Sequence, residues 1–274
     1  MKAETFDASW LALREAADHR SRSDELVDRL ADWWTRRAGS TVLDLGSGTG
    51  SNLRYLAPRL PGRHVWTLID HDSALLARVE APPGDIVVKT KLGDLADVGL
   101  SEIEQAHLVT ASALLDLVSA DWLESLAGAC AAAACGVLFA LTYDGTIEWA
   151  GELGEPADEL VRAAVDAHQR RDKGVGAALG PTAGRFAEAA FRRRGFQTWT
   201  APSAWRLGPE DAELAQALVL GWETAAVDER PDDADRIRAW AERRRAVVAG
   251  GDFGLIVGHV DLLALPAGQA GEAT

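Results

Sequence analysis

Residues 41–50, Thr-Val-Leu-Asp-Leu-Gly-Ser-Gly-Thr-Gly, leave the chain few ways to fold. Val42, Leu43 and Leu45 read as the end of a buried parallel strand, and the apolar run stops at Gly46. Glycine then recurs at every second position, as Gly46, Gly48 and Gly50. From Ser51 to Leu60 the apolar residues Leu53, Leu56, Ala57 and Leu60 share one helical face. The stretch therefore predicts a strand, a tight glycine turn and a helix. Glycine allows positive φ and lets backbone come close to a ligand. The helix N-terminus behind it offers unpaired N–H groups and the positive end of a dipole.

Two familiar ligand loops do not match. A phosphate-binding Walker loop needs Gly-Lys-Ser/Thr, whereas Gly50 is followed by Ser51-Asn52. In a Gly-x-Gly-x-x-Gly dinucleotide fingerprint counted from Gly46, Ser51 stands where the third glycine belongs. What remains is Asp-x-Gly-x-Gly-x-Gly from Asp44 to Gly50, which resembles motif I of the class I S-adenosylmethionine (SAM)-dependent methyltransferases. Two further acids extend the resemblance. His64-Val-Trp-Thr-Leu-Ile-Asp70 is a strand pattern ending in an acid, placed to accept both hydroxyls of a ribose. Gly93-Asp94-Leu95 closes the strand pattern 86–91. In the family an acid there receives the adenine amino group, and the next apolar residue covers the ring. The resemblance spans about residues 40–145 and is looser beyond.

It implies SAM as cofactor and S-adenosylhomocysteine as product. By position it assigns Asp44, Gly46, Ser47, Gly48, Gly50, Asn52, Asp70, His71, Asp94, Leu95, Ala111 and Ser112 to the cofactor. The implied fold is α/β: a doubly wound, seven-stranded, mostly parallel sheet with an N-terminal helical lid and helical insertions. One domain is expected over 1–274: lid 1–39, cofactor core 40–145, cap insertion 146–180, and the carboxyl part of the sheet over 181–266, carrying a helical pair at 209–248 before the tail 267–274. The alternating strand and helix patterns of 41–143 support parallel βαβ units, whose carboxyl strand ends form one ligand edge.

Composition narrows the partners. A formal net charge of −14 opposes a nucleic-acid backbone, which rewards Lys/Arg clusters, so a small-molecule substrate is expected. Hydrophobic content of 47 % suffices for a core. Cys130 and Cys135 lack a Cys-x-x-Cys spacing or a nearby histidine, so no metal site is expected. No apolar run approaches the ~18 residues of a membrane helix, and residues 1–20 lack a signal-peptide core. The reading is a cytoplasmic monomer or homodimer without membrane association.

Methyl transfer is an in-line displacement for which the protein mainly positions the nucleophile and removes its proton. Three places are candidates. Asp116 follows the fourth strand, and Tyr143 and Asp144 end the fifth. His168-Gln-Arg-Arg-Asp-Lys173 concentrates cations in an acidic chain, beside glycines able to hinge. His168 is the expected general base, since an unperturbed histidine titrates at about pH 6.5. Arg171, Asp144 and Trp149 are the expected substrate contacts, and Arg171 suggests an anionic or carbonyl-bearing acceptor. Asp116 can equally be a helix-terminal acid, and the cations of 168–173 a solvated helix end. The junction His19-Arg20-Ser21-Arg22 reads either as a solvated turn or as part of the lid, with Arg14 or Arg22 near the methionyl carboxylate. His259 is expected to be structural. A non-catalytic SAM- or S-adenosylhomocysteine-binding protein is the alternative, and a filled acceptor pocket would favour it.

Overall fold

The computed structural model describes residues 7–37, 39–95, 100–150, 154–172, 174 and 176–267. Two helices, α1 (Ala8–Ser21) and α2 (Asp24–Arg37), precede the sheet. The side chain of Asp7 caps α1 by accepting from Ser9 N at 2.8 Å. Strands β1 (Thr41–Leu45), β2 (His64–Asp70), β3 (Ile86–Leu92), β4 (Leu108–Ser112) and β5 (Gly136–Trp149) are parallel, with short helices α3 (Ser51–Leu56), α4 (Ser73–Leu76) and α5 (Leu100–Glu104) and the longer α6 (Ala120–Ala133) between them. Pro58 stands in the 3-10 turn Ala57–Arg59 that ends α3, so the helix expected to reach residue 60 stops early.

The carboxyl half adds α7 (Pro156–Gln169), α8 (Ala183–Arg193), β6 (Phe196–Pro202), β7 (Trp205–Leu207), α9 (Ala212–Glu229), α10 (Ala234–Gly250) and β8 (Leu255–Pro266). Sheet order is β3-β2-β1-β4-β5-β8-β6, with β7 also paired to β8. The short β7 makes eight strands where seven were expected. β8 runs antiparallel to β5, β6 and β7. Strand β5 outruns its expected end at Tyr143: Thr146–Trp149 continue it beside β8, so the chain leaves the sheet later than the pattern of apolar residues suggested.

Apolar residues pack in three groups. One face of the sheet is covered by α6 and α8, around Phe139 and Phe191. The other is covered by α2 and α3, where Trp34 and Trp66 are buried. A third group forms where β5 and β8 project past the parallel strands; there α7, α9 and α10 pack around Trp149, Trp205, Trp222 and Trp240. These tryptophans fill the cap core. Cys130 and Cys135 are buried free thiols. No described helix is long and apolar enough to cross a membrane.

Candidate functional site

The carboxyl ends of β1, β2, β3 and β4 open onto one cleft. Gly46 and Gly48 turn there with φ of 61° and 53°, values that disfavour any L side chain. A Cβ on Gly48 would meet Leu11 Cδ1 of α1 at 3.0 Å, so the lid helix rests directly on the turn. Gly48 N donates to Asp70 Oδ2 at 2.7 Å, and Asp72 N donates to Asp70 Oδ1 at 2.9 Å. The β2 acid thus fixes the glycine loop. A carboxylate has about four acceptor sites, so roughly two remain for a ligand.

Asp44 is fully buried and lines the same cleft. Its Oδ1 accepts from Asn52 Nδ2 at 2.7 Å, while Oδ2 has no partner. Ser47 Oγ is likewise buried without one. Such groups are costly to desolvate. Burial pushes the Asp44 carboxyl up to about 7, against the lowering effects of Asn52 and Arg22. Asp94 and Leu95 form the next wall, and Trp122 Nε1 pins Leu95 by donating to its carbonyl at 2.8 Å. Ser112 and Ala113 follow β4; Ala113 takes φ of 52°, held by its N–H on Ala140 O at 2.9 Å. A non-glycine residue in that region is strained and occurs where surroundings enforce it.

The lid supplies residues that the motif alone did not reveal. Leu11, Arg14 and Asp18 line the cleft from one face of α1, and their three- and four-residue spacing was the available signal. Arg14 donates to both Asp18 oxygens at 2.9 and 3.1 Å and lies 4.8 Å over the Trp205 ring. Leu75, Leu114, Leu117, Val118 and Gly174 complete the apolar side. The basic junction after α1 is docked: His19 Nε2 lies 3.1 Å from Ser51 O and 3.0 Å from Ser51 Oγ, and Arg22 is buried.

Ten of the twelve residues assigned to a cofactor therefore line one cleft: Asp44, Gly46, Ser47, Gly48, Asn52, Asp70, His71, Asp94, Leu95 and Ser112. Gly50 and Ala111 do not. The Cβ position of Gly50 faces Val79 and Leu68, and Ala111 belongs to the core beneath β4.

The expected acceptor groups lie elsewhere. The expectation that His168 and Arg171 face the cleft is corrected, because α9 presents acids to that end of α7. Arg171 pairs with Asp228 and with Glu229, the latter at 2.7 Å, and His168 Nε2 lies 3.6 Å from Asp228. Lys173 lies outside the described residues. Tyr143 does not line the cleft; it is buried and donates to Asp166 Oδ1 of α7 at 3.1 Å. Burial, reinforced by Asp166, raises its phenol well above the ordinary range. Asp144 is exposed and accepts from Thr146 N at 3.0 Å. Trp149 is buried under Arg244, whose guanidinium lies 4.3 Å over its ring. Asp116 is buried in the turn Leu115–Leu117, whose flanking Leu114 and Leu117 reach the cleft instead. Among the described residues of the insertion, Gly174 lines the cleft, next to the bridges Asp172–Ala177 and Ser119–Ala178. His259 is buried between Tyr143 and Trp205, and burial lowers it to about 3.

No family model and no curated protein matches the sequence. Solved structures do. A cyclopropane-fatty-acyl-phospholipid synthase-like protein from Lactobacillus casei is similar at 17 % identity over 97 % of this chain and 96 % of that one, with a TM-score of 0.54. A SAM-dependent methyltransferase from Geobacter sulfurreducens, in complex with S-adenosylhomocysteine, aligns at 18 % identity over 95 % of this chain and 99 % of that one, with a TM-score of 0.42. At such identities the likeness is one of fold: this chain has the architecture of the class I SAM-dependent methyltransferases.

Proposed function

We propose that the chain is a SAM-dependent methyltransferase acting on an oxygen or nitrogen of a small molecule. One observation carries the reading: Asp44, Asp70 and Asp94, from three successive strand ends, meet the positive-φ glycine turn in a single cleft. In this reading Asp70 takes the ribose hydroxyls with its remaining acceptor capacity, and Asp94 with Leu95 takes the adenine. The unpartnered Oδ2 of Asp44 receives the ammonium of the methionyl end, and Arg14 its carboxylate. The bound cofactor would supply an activated methyl group. The protein's part is then to exclude water beneath α1 and to orient the acceptor against Leu114, Leu117 and Val118.

With His168 and Arg171 engaged by α9 and Arg14 given to the cofactor's carboxylate, no further arginine or lysine among the described lining residues faces an anionic acceptor. A nitrogen acceptor is the first to test, since an uncharged amine attacks without prior loss of a proton. The formal charge of −14 supports a small molecule over nucleic acid.

The alternative, a protein that binds SAM or S-adenosylhomocysteine without turnover, has its own support. The region around Tyr143 and Trp149, expected to wall the acceptor, is packed with Asp166 and Arg244. Calorimetry with both nucleosides, followed by transfer of labelled methyl to a pool of amine- and hydroxyl-bearing metabolites, tests both readings. Absence of binding would end both; binding with no labelled product from any acceptor would favour the second.

A further inference from the structure

Arg22 is a charged side chain in an unfavourable place. It follows α1, in extended conformation at ψ 147°, where the lid passes into α2. Its side chain is 1 % exposed, and Nε and Nη2 have no hydrogen-bond partner. Among the described residues its ion-pair partner is Asp261 of β8, which is 3.7 Å away and already accepts from Ser23 N and Leu141 N. The Tyr55 ring lies 4.6 Å beneath the guanidinium. A loosely paired buried cation gives little stability, since desolvation offsets the attraction. The firm contact is elsewhere: Nη1 donates to Asn52 Oδ1 at 3.0 Å, and Asn52 Nδ2 donates to Asp44 Oδ1 at 2.7 Å and to Thr110 Oγ1 at 3.0 Å. Thr110 in turn donates to Leu138 O at 2.8 Å. Arg22, Asn52 and Asp44 form one directed chain from the lid hinge to the cleft.

We propose that Arg22 is a positioning residue that holds the Asp44 carboxylate, through Asn52, for the ammonium group of the cofactor's amino-acid end. The inference rests on the reading that the cleft binds SAM. Asp44 must be ionised to hold a cation well, and its surroundings oppose that. Burial and Asp70 of β2 favour the protonated acid, while Arg22 and Asn52 favour the carboxylate. Arg14 and Asp18 of α1, His71 after β2 and Asp94 after β3 line the same cleft, and Asp261 faces Arg22 from β8. Without Arg22 the carboxylate loses its nearby cation, and Asn52 loses the bond that orients its amide.

The test is the affinity of the wild type for S-adenosylhomocysteine, measured by calorimetry from about pH 6 to about pH 8.5 and compared with Arg22→Met and Arg22→Lys. Wild-type affinity should rise with pH and level off above about 7, where Asp44 is ionised. Arg22→Met should bind roughly tenfold more weakly near neutrality, with its rise moved upward by about half a pH unit or more. Arg22→Lys, which keeps the charge, should restore the position of the rise. A loss in Arg22→Met that is the same at every pH would assign Arg22 a purely structural role and overturn the proposal. If Arg22→Met does not fold, Asn52→Ser cuts the same chain with Arg22 in place; an unmoved rise there is equally fatal. Wild type that binds no S-adenosylhomocysteine at any pH overturns the cofactor reading itself, an outcome visible before any variant is made.

Discussion

Two stretches of the same sheet edge place their charged groups differently. At the ends of β1 and β2, Asp44 Oδ2 and Ser47 Oγ are buried without partners, and Asp70 spends only part of its acceptor capacity on Gly48 and Asp72. Further along, where β5 projects under α7, Tyr143 donates to Asp166, and Arg162 donates to the other Asp166 oxygen at 3.1 Å and to Glu159 at 2.6 Å. Beyond them Arg171 is held by Asp228 and Glu229. The first stretch turns Asp44, Ser47 and Asp70 toward the cleft; the second binds Tyr143, Asp166 and Arg162 to one another, although Trp149 Nε1 and His259 Nδ1 beside them are also buried without partners. An unpartnered buried group points to a ligand where it also lines a cleft, as Asp44 and Ser47 do.

The contrast breaks most visibly at the glycine turn. Gly48→Val adds a branched side chain at φ 53° and against Leu11; affinity for SAM should fall at least about 100-fold, the strain alone amounting to roughly 1–3 kcal/mol. Normal binding by a folded variant would make the turn a bystander. Next comes Asp44, whose sign can be worked out. Its folded carboxyl, raised to about 7 from 3.8, keeps a proton that the unfolded chain releases. Stability is therefore full below the unfolded value and is lost as pH rises through about 7, at up to about 1.4 kcal/mol per pH unit. Denaturant unfolding between about pH 5 and 8 should show Asp44→Asn gaining on the wild type as pH rises; parallel curves would contradict a buried, reluctant acid.

Asp70→Ala removes a charged acceptor from the ligand and from Gly48 N. SAM affinity should drop more than about tenfold, in keeping with about 1.5–3 kcal/mol for hydrogen bonds to a charged group; unchanged calorimetry would unseat Asp70. The smallest response is expected where α7 meets α9. Arg171→Ala should leave both SAM affinity and turnover within about twofold of wild type, because its partners are acids of α9. A selective loss of turnover would return α7 to the acceptor site.

The legible part of the molecule was local in sequence. Asp44 to Gly50 sets strand, turn and helix within one short run, and Asp70 and Asp94 each end a strand pattern, so parallel topology alone brings them to one edge. His168 and Arg171 defeated the same reasoning because their meaning depends on α9, about sixty residues away, arriving with Asp228 and Glu229. Trp149 failed for a like reason: its wall is Arg244 of α10. The lid was half legible. The repeat Leu11, Arg14, Asp18 marks a face, but only docking on Gly48 shows what that face covers.

The place of β8 between β5 and β6 sets a timetable for the chain. Neither β6 nor β7 has a strand neighbour until residues Leu255–Pro266 have been made, because both pair with β8. Asp261 on that strand also accepts from Ser23 N at 3.0 Å and from Leu141 N at 2.8 Å, joining the helical lid to the middle of the sheet across 238 residues. Parallel strands β1 to β5 can associate as they leave the ribosome, but the seam that locks the lid to them closes last. Such long-range closure slows folding and leaves the edge of β5 open meanwhile, a surface on which a chaperone or a second nascent chain can act before the protein itself does.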